Sequence, residues 1–267
     1  MKRRRIIVLV KQVPDIEKVK FDVEKGRLDR SSADAVINPF DLNALEAAVQ
    51  LKEKYGFTVT AISMGPPKAA SALQEAIARG ADSTILLSDD KFAGSDTLAT
   101  SFTLASAIRK LGDFHFVICG EKTVDGDTGQ VGPEVAEHLG IPHVAYVHKI
   151  VDFMGDRMKV MCMMGRYRCL MEIKSPGLIT VTKEINQPRY LSFSKRLAAS
   201  RLPVETWKVD ELSNGSDLSR FGVNGSPTRV FKAEILREKI KDSRVFQGNE
   251  AVKNLALAIE RACGEEF

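Results

Sequence analysis

The stretch "FHFVICGEKTVDGDTGQVGPEVAEHLG", Phe114 to Gly140, decides the fold. It opens on a short apolar run, passes through a loop, and closes on a helical pattern that Pro133 starts and Gly140 ends. Strand, loop and helix in that order are half of a βαβ unit. The loop from Val124 to Pro133 carries three glycines, two aspartates, a threonine, a glutamine and a proline. Glycines after a strand let backbone approach a phosphate, whereas aspartates there repel one. The donors are backbone N–H groups, the Thr128 hydroxyl and the Gln130 amide; Asp125 and Asp127 accept from amides, a ribose or a ring N–H. Such a set suits a mixed ligand, a pyrophosphate joined to something with donors of its own. A dinucleotide fits it better than a lone phosphate, and an adenosine monophosphate also fits.

The same alternation runs back to the start of the chain. "IIVLVKQV" (Ile6–Val13) is a near-continuous apolar strand, the kind buried on both faces of a parallel sheet. "FDVEKGRLDR" reads as a small hairpin with a Lys-Gly turn. "NPFDLNALEAAVQLKEKYG" is a helix with Asn38 and Asp41 as candidate caps, an apolar stripe of Leu42, Leu45 and Val49, and Gly56 as its stop. "FTVTAISMG" and "STILLS" are strands, and "PPKAASALQEAIARG" between them is a helix opened by Pro66 and Pro67. "GSDTLATSFTLASAIRKLG" is a helix capped by Ser95 or Asp96, with Leu98, Phe102, Ala105 and Ile108 on one face. Repeated strand and helix predict right-handed crossovers and a Rossmann-like α/β fold: an open, mostly parallel sheet with helices on both faces.

From His143 the pattern changes. "HVAYVHKIVDF", "DRMKVMCMMG", "RYRCLMEIK" and "GLITVTKE" read as strands with turns at Gly155-Asp156, Gly165 and Ser175-Pro176-Gly177, so the sheet is expected to finish with antiparallel strands. Past Pro188 the chain is polar and turn-rich until a last amphipathic helix bearing Ala251, Leu255, Ala258, Ile259 and Ala262. So thinly apolar a segment is expected to wrap a partner rather than bury itself. The division is a nucleotide-binding α/β domain over 1–187 and a partner-recognition loop with an extended C-terminal arm over 188–267.

Composition narrows the function. The chain has 267 residues, 44% of them hydrophobic and 28% charged, which is ordinary for a globular protein. The net charge of +4 gives no argument for nucleic acid. "KRRR" at Lys2 to Arg5 is a solvated strand start or a weak targeting patch. No run of about eighteen apolar residues offers a membrane span. "IIVLVKQV" is too short for a signal peptide and lacks a cleavage site, so the chain reads as cytoplasmic. Cys119, Cys162, Cys169 and Cys263 form no CxxC pair and have no histidine at metal-ligand spacing, which leaves buried free thiols and no metal site.

In an open parallel sheet, ligands sit outside the carboxyl ends of the strands. Three glycine-containing loops run from strand ends into helices there: "SMGPP" (Ser63–Pro67), "FAGSDT" (Phe92–Thr97) and Gly120–Pro133. Each is either a tight turn or a helix start offering N–H groups to phosphate; three at one edge point to a nucleotide. No Walker A motif, GxGxxG or GxSxG is present. A calcium loop starting at Asp125 fails because Gln130 and Ala136 stand where a glycine and a glutamate belong. His115, His138, His143 and His148 have no triad partner at a recognisable spacing, so no residue is assigned as catalytic.

"VLVKQVPD", "INPFDLNALEAA", "ISMGPP", "RGAD", "FAGSDTLATS", "GEKTVDGDTGQVGPEVAEHLG" and "PGLITVTKEINQPRYLS" occur in this order. Together they strongly resemble the β subunit of electron-transfer flavoproteins, over nearly the whole chain. The resemblance implies pairing with an FAD-carrying α subunit whose flavin domain the C-terminal arm embraces. It maps a nucleotide site onto Leu9, onto Asn38, Pro39, Phe40 and Asp41, onto Met64, and onto Val124, Asp125, Gly126, Asp127, Thr128, Gly129, Gln130, Val131 and Gly132.

Two subgroups of the family differ at this site. Ordinary electron carriers bind AMP and have a longer Asn-Gln-Thr-Gly-Gln loop. The bifurcating and nitrogen-fixation-linked group binds a second FAD and shows "KQVPD", "MGPP", "FAGSDTLATS" and a "DGDT[AG]QVGP" loop, all present here. The bifurcating resemblance implies that NADH delivers a hydride to this FAD. One electron then goes to a low-potential carrier such as ferredoxin. The other goes through the α-subunit FAD to a partner dehydrogenase or quinone reductase, so any membrane contact is indirect. NAD is expected near Gly65 and at Ser95, Asp96 and Thr97, a triplet that equally reads as a helix cap. Phe193, flanked by Lys195 and Arg196, falls where the ordinary carriers place a partner-anchoring leucine; burial against the α subunit is the other reading. "VMCMMGRYRCLMEIK" departs from the charged, glycine-containing stretch usual before "PGLITV". An ordinary carrier with structural AMP and a nucleotide-binding regulatory module remain as alternatives.

Overall fold

The computed structural model describes residues 4–15, 20–22, 27–29, 35–213, 218–228 and 245–264. They fall in two compact units, Met1–Arg229 and Val230–Phe267. In chain order the first unit contains β1 (Arg5–Leu9), β2 (Gln12–Pro14), β3 (Lys20–Asp22), β4 (Arg27–Asp29), β5 (Ala35–Ile37), α1 (Pro39–Tyr55), β6 (Thr58–Met64), α2 (Ala70–Arg79), β7 (Ser83–Leu87) and α3 (Thr97–Leu111). There follow β8 (Phe116–Gly120), α4 (Val131–Leu139), β9 (His143–Met154), β10 (Arg157–Met164), β11 (Tyr167–Lys174), β12 (Gly177–Val181), α5 (Phe193–Ala199), β13 (Glu205–Trp207) and α6 (Val209–Ser213).

One nine-stranded sheet has the order β11-β10-β9-β12-β8-β1-β6-β7-β13. The strands from β9 through β12, β8, β1, β6 and β7 to β13 are parallel, and β10 and β11 add antiparallel pairs. Side-chain alternation along β1 explains its central place. Ile6 and Val8 enter one core, and Ile7 and Leu9 enter the other. Ala44, Leu45 and Ala48 of α1 with Leu73 and Ala76 of α2 fill the first core. Phe102 and Ile108 of α3 with Val135 and Ala136 of α4 fill the second. Each large aliphatic chain so buried contributes about 1.5–3 kcal/mol. After β1 the chain moves outward through β6 and β7, then returns to place β8 on the other side of β1. The order therefore reverses between β1 and β8, where a crevice opens at the carboxyl edge.

Several expectations are corrected in detail. Ile6–Val13 is two strands: β1 ends at Leu9, and β2 pairs antiparallel with β5 in a separate ribbon. The break falls where the Lys11 N–H donates to the Asp41 side chain instead of a neighbouring strand. β12 lies parallel between β8 and β9, so the antiparallel finish is β9–β11 alone. A 3-10 turn at Pro67–Ala69 precedes α2, and α4 starts at Val131, ahead of Pro133. Leu98 is 41% exposed and leaves the α3 stripe to Phe102, Ala105 and Ile108. The hairpin forms as β3 and β4, although its Lys-Gly turn lies outside the described residues, as do Lys2 and Arg3.

The segment after Pro188 is more ordered than its composition suggests. β13 extends the sheet beside β7, and Trp207, Val209, Leu212 and Phe221 are buried in the second core. Few residues suffice because each is large: Phe221 meets Phe92 and Phe102, and Lys110 lies 4.1 Å from the Trp207 ring centre. In the second unit, α7 (Ala251–Gly264) is the expected amphipathic helix, with Leu255 and Ile259 about half exposed; the side chain of Ala262 lies outside the described residues.

Candidate functional site

The crevice at the β1/β8 switch holds a cleft of about 340 Å³. Its walls come from five places. The end of β1 gives Leu9, Val10 and Lys11; β6 gives Ile62 and Met64; and α3 with the residues that lead into it gives Ser95, Asp96, Thr97, Thr100 and Leu104. The end of β8 and its loop give Cys119 to Thr123, Gly126 and Thr128 to Gly132, and α1 contributes Asp41.

The first turn of α1 is the frame of this cleft. Asn38 and Asp41 were expected to cap the helix, but the Asn38 side chain makes no cap bond. It donates instead to the Lys122 carbonyl at 2.9 Å and accepts from the Val124 N–H at 3.2 Å. Asp41 accepts from the Lys11 N–H at 2.8 Å and from the Gly120 N–H at 3.0 Å. Two adjacent strand ends and the loop are thus tied to one helix start. Burial pushes the Asp41 carboxyl up to about 7, and the hydrogen bonds from Lys11, Asn38 and Gly120 offset only part of that rise. Close packing accompanies the ties. A methyl group on Gly132 would lie 2.6 Å from Thr180 Cγ2 and 2.9 Å from Cys119 Sγ, so the α4 start sits directly on the sheet. Burial, with Asp41 adding to it, pushes the Cys119 thiol well up.

The loop aspartates do not line the cleft; lysines do. Lys11 Nζ donates to both oxygens of Asp125 at 3.0 and 2.8 Å, and Lys122 Nζ lies 2.7 Å from Asp127 Oδ1. Partial burial opposes the Asp125 charge, but Lys11 and Thr123 hold its carboxyl below the usual range. Asp127 has a left-handed backbone, φ 53°, which aspartate tolerates better than most residues.

At the α3 start, Asp96 is the cap: its Oδ1 accepts from the Ala99 N–H and its Oδ2 from the Thr228 N–H, both at 3.0 Å. Burial works against its charge, and these N–H groups more than compensate. Ser95 donates to the Phe92 carbonyl, and Thr97 to Glu134. The Asp96 carboxylate therefore occupies the anion seat at this helix end.

Of the residues singled out in the sequence, Leu9, Asp41, Met64, Ser95, Asp96, Thr97, Gly126, Thr128, Gly129, Gln130, Val131 and Gly132 come together on the cleft wall. Asn38, Pro39, Phe40, Gly65, Val124, Asp125 and Asp127 stand off it. Asn38 and Phe40 lie behind the loop, where the Phe40 ring meets Lys122 and Lys183, and the Gly65 N–H is spent on the Leu87 carbonyl. Lys11, Thr100, Glu121, Lys122 and Thr123 were not singled out. The signal for Lys11 was present, since it is the first charged residue after the central strand.

The donors fit a nucleotide: two lysines, threonine hydroxyls, and the α4 start, where Gln130 makes no side-chain cap. Leu9, Val10, Ile62, Met64 and Leu104 supply an apolar surface for a ring system. Among the described residues no three His, Cys, Asp or Glu converge as a metal site, and no helix is long and apolar enough to cross a membrane.

The model of the electron transfer flavoprotein domain matches residues 25–212. The electron transfer flavoprotein subunit beta of Clostridium acetobutylicum is 45% identical over 250 residues, covering 90% of this chain and 95% of its own.

The chain belongs to the electron-transfer flavoprotein family.

A caffeyl-CoA reductase–Etf complex subunit, CarD of Acetobacterium woodii, is 40% identical, with 86% of this chain and 87% of its own covered. Protein FixA of Azorhizobium caulinodans is 39% identical, with 88% and 86% covered. The chain is thus an electron-transfer flavoprotein subunit of the β type.

Proposed function

We propose that this β subunit binds FAD in the β1/β8 cleft, takes a hydride from NADH there, and splits the two electrons. One goes to a low-potential carrier of the ferredoxin type. The other goes through the FAD of the α subunit to a dehydrogenase, reductase or quinone reductase. The observation that carries the reading is the cleft itself, with apolar walls beside a lysine- and threonine-rich rim at the switch point of this fold. The relatives' names support it, since CarD is named as part of a reductase–Etf complex.

Bound FAD supplies the two-electron to one-electron conversion, which no amino-acid side chain performs. The chain's own residues bind and orient. The α1 turn fixes the backbones of Lys11, Gly120, Lys122 and Val124. Ile62, Met64 and Leu104 exclude water from the inner end. NAD is assigned to the rim by Gly65 and α3, with its contacts made to Ser95, Thr97 and Thr100, because Asp96 already fills the helix end. Phe193, 80% exposed on α5, serves as the anchor for the electron-accepting partner. The residues of 188–267 that do not pack into the chain's own sheet and core are assigned to α-subunit contact.

AMP in place of FAD is the second reading. A cleft of about 340 Å³ is near the lower end of ordinary ligand pockets and encloses a mononucleotide more completely than a dinucleotide. Co-expression with the α subunit, denaturation and a count of released cofactors tests both. Two FAD per heterodimer is the expected result. One FAD with one AMP overturns the bifurcating reading, and no flavin overturns the redox role. Deleting Gly126 and Asp127 is expected to lose the nucleotide of this chain and keep the FAD of the α subunit.

A further inference from the structure

We propose that Lys11 and Lys122 are the cations that bind the phosphates of the cleft's nucleotide, and that Asp125 and Asp127 are exchangeable counter-ions holding them at the rim beforehand. The proposal rests on the nucleotide reading above and names how that site takes its ligand.

The two lysines occupy equivalent places. One follows β1, the other follows β8, and these strands are neighbours at the switch point. Both line the cleft, whereas their aspartate partners do not. Their backbones are immobilised from one helix turn. The Lys11 N–H is held by Asp41, its carbonyl accepts from the Asn38 N–H at 2.9 Å, and the Lys122 carbonyl is held by the Asn38 side chain. Only the ammonium ends are left to move.

The ion pairs are of a kind that exchanges easily. The side chains are 46% and 32% exposed in the Lys11 pair, and 38% and 67% exposed in the Lys122 pair. Exposed pairs contribute little to stability. The loop does not need them as fasteners, because the Asp127 N–H donates to the Thr123 carbonyl and Asn38 holds Val124. A phosphate offers more charge and more acceptor oxygens than one carboxylate. When it enters, the ammonium groups turn from the loop into the cleft, and Asp125 and Asp127 turn to water. A nucleoside 5′-phosphate is the shared chemistry, and AMP and FAD are its two sources.

The test uses the assembled α/β complex freed of the nucleotide in this chain, titrated with adenosine, AMP and FAD. Lys11→Gln and Lys122→Gln are each expected to weaken AMP and FAD by about ten- to a hundredfold, with adenosine changed by less than about twofold. Lys11→Arg is expected to restore most of the loss. Asp125→Asn and Asp127→Asn are expected to keep or tighten AMP and FAD and to leave adenosine alone. An unchanged AMP-to-adenosine ratio in both lysine variants overturns the proposal while the nucleotide reading stands. So does an equal loss of adenosine and AMP in the aspartate variants. If the unaltered complex binds none of the three, the nucleotide reading falls and the proposal with it. Tight AMP with weak FAD supports the lysine roles and assigns the site to a mononucleotide.

Discussion

Asp41 gives the sharpest test of the cleft's electrostatics. Its carboxyl is 5% exposed and is pushed by burial from an ordinary 3.8 to about 7. The folded chain thus holds the proton more tightly than the unfolded chain does. Below the ordinary value both states are protonated, and Asp41 contributes nothing to pH dependence. As pH rises from about 4 to about 7, the unfolded state ionises first and stability falls; above about 7 the loss is complete. At about 1.4 kcal/mol per pH unit, the interval from 3.8 to about 7 sums to about 4 kcal/mol. Asp41→Asn removes this dependence. Its amide keeps one of the two N–H bonds from Lys11 and Gly120 and loses the other, which costs about 1–3 kcal/mol at every pH. The variant is therefore expected to be less stable than the natural chain in mild acid and more stable at alkaline pH, with the curves crossing in between. Urea denaturation of both proteins across that range measures the difference, and groups common to both cancel. A constant difference, or one that grows in favour of the natural chain as pH rises, refutes the reasoning. It would mean that two N–H bonds keep Asp41 ionised throughout.

Two further outcomes follow from local geometry. Arg189 reaches Glu46 and Glu53 together at 2.6–3.1 Å, so Arg189→Ala, which strands the buried Glu46, is expected to cost about 2–4 kcal/mol by denaturation. Arg189→Lys should restore less than half of that, because an ammonium group does not span both carboxylates. Gly132→Ala drives a methyl group into Thr180 and Cys119 and is expected to cost about 1–3 kcal/mol and to weaken nucleotide binding in an equilibrium titration.

The parallel sheet was legible because its strands are buried on both faces and read as unbroken apolar runs, "IIVL", "FVIC" and "GLITV" alike. The neighbours and direction of each strand were not legible. Nothing local in "GLITV" says that it inserts parallel between β8 and β9. β13 escaped notice because Glu205 and Thr206 are polar and its one large apolar residue, Trp207, is held by contacts with distant Lys110 and β7. That a cleft opens at this edge was legible from three loops that meet there; how its residues are tied together was not. Asn38 and Asp41 stand at a helix start, where the local rule reads caps. Their actual partners lie across the sheet, Gly120 being 79 residues from Asp41. Lys11 carries only a weak mark for a related reason: its place as the first charge after the central strand is visible, but a lone lysine there looks like a solvated end until its neighbours are known.

The two aspartates in a glycine-rich loop beside the cleft cease to be a contradiction once the charges are taken in pairs. Asp125 faces a lysine from the neighbouring strand end and Asp127 one from its own loop, so the four groups cancel before a ligand arrives. The remaining carboxyls on the wall are muted as well. Burial raises both Asp41 and Glu121, and Asp96 has its charge met by backbone N–H groups. A cleft so balanced does not bear the repulsion between two unscreened lysines when empty. Under the proposal above, it still presents two cations at the moment a phosphate displaces the two carboxylates. Replacing the aspartates by alanine would keep the lysines but leave them repelling one another beside the α4 start, whose dipole is also positive. The acidic loop thus neutralises the two lysines before a ligand arrives, through pairs exposed enough to exchange at little cost to the fold.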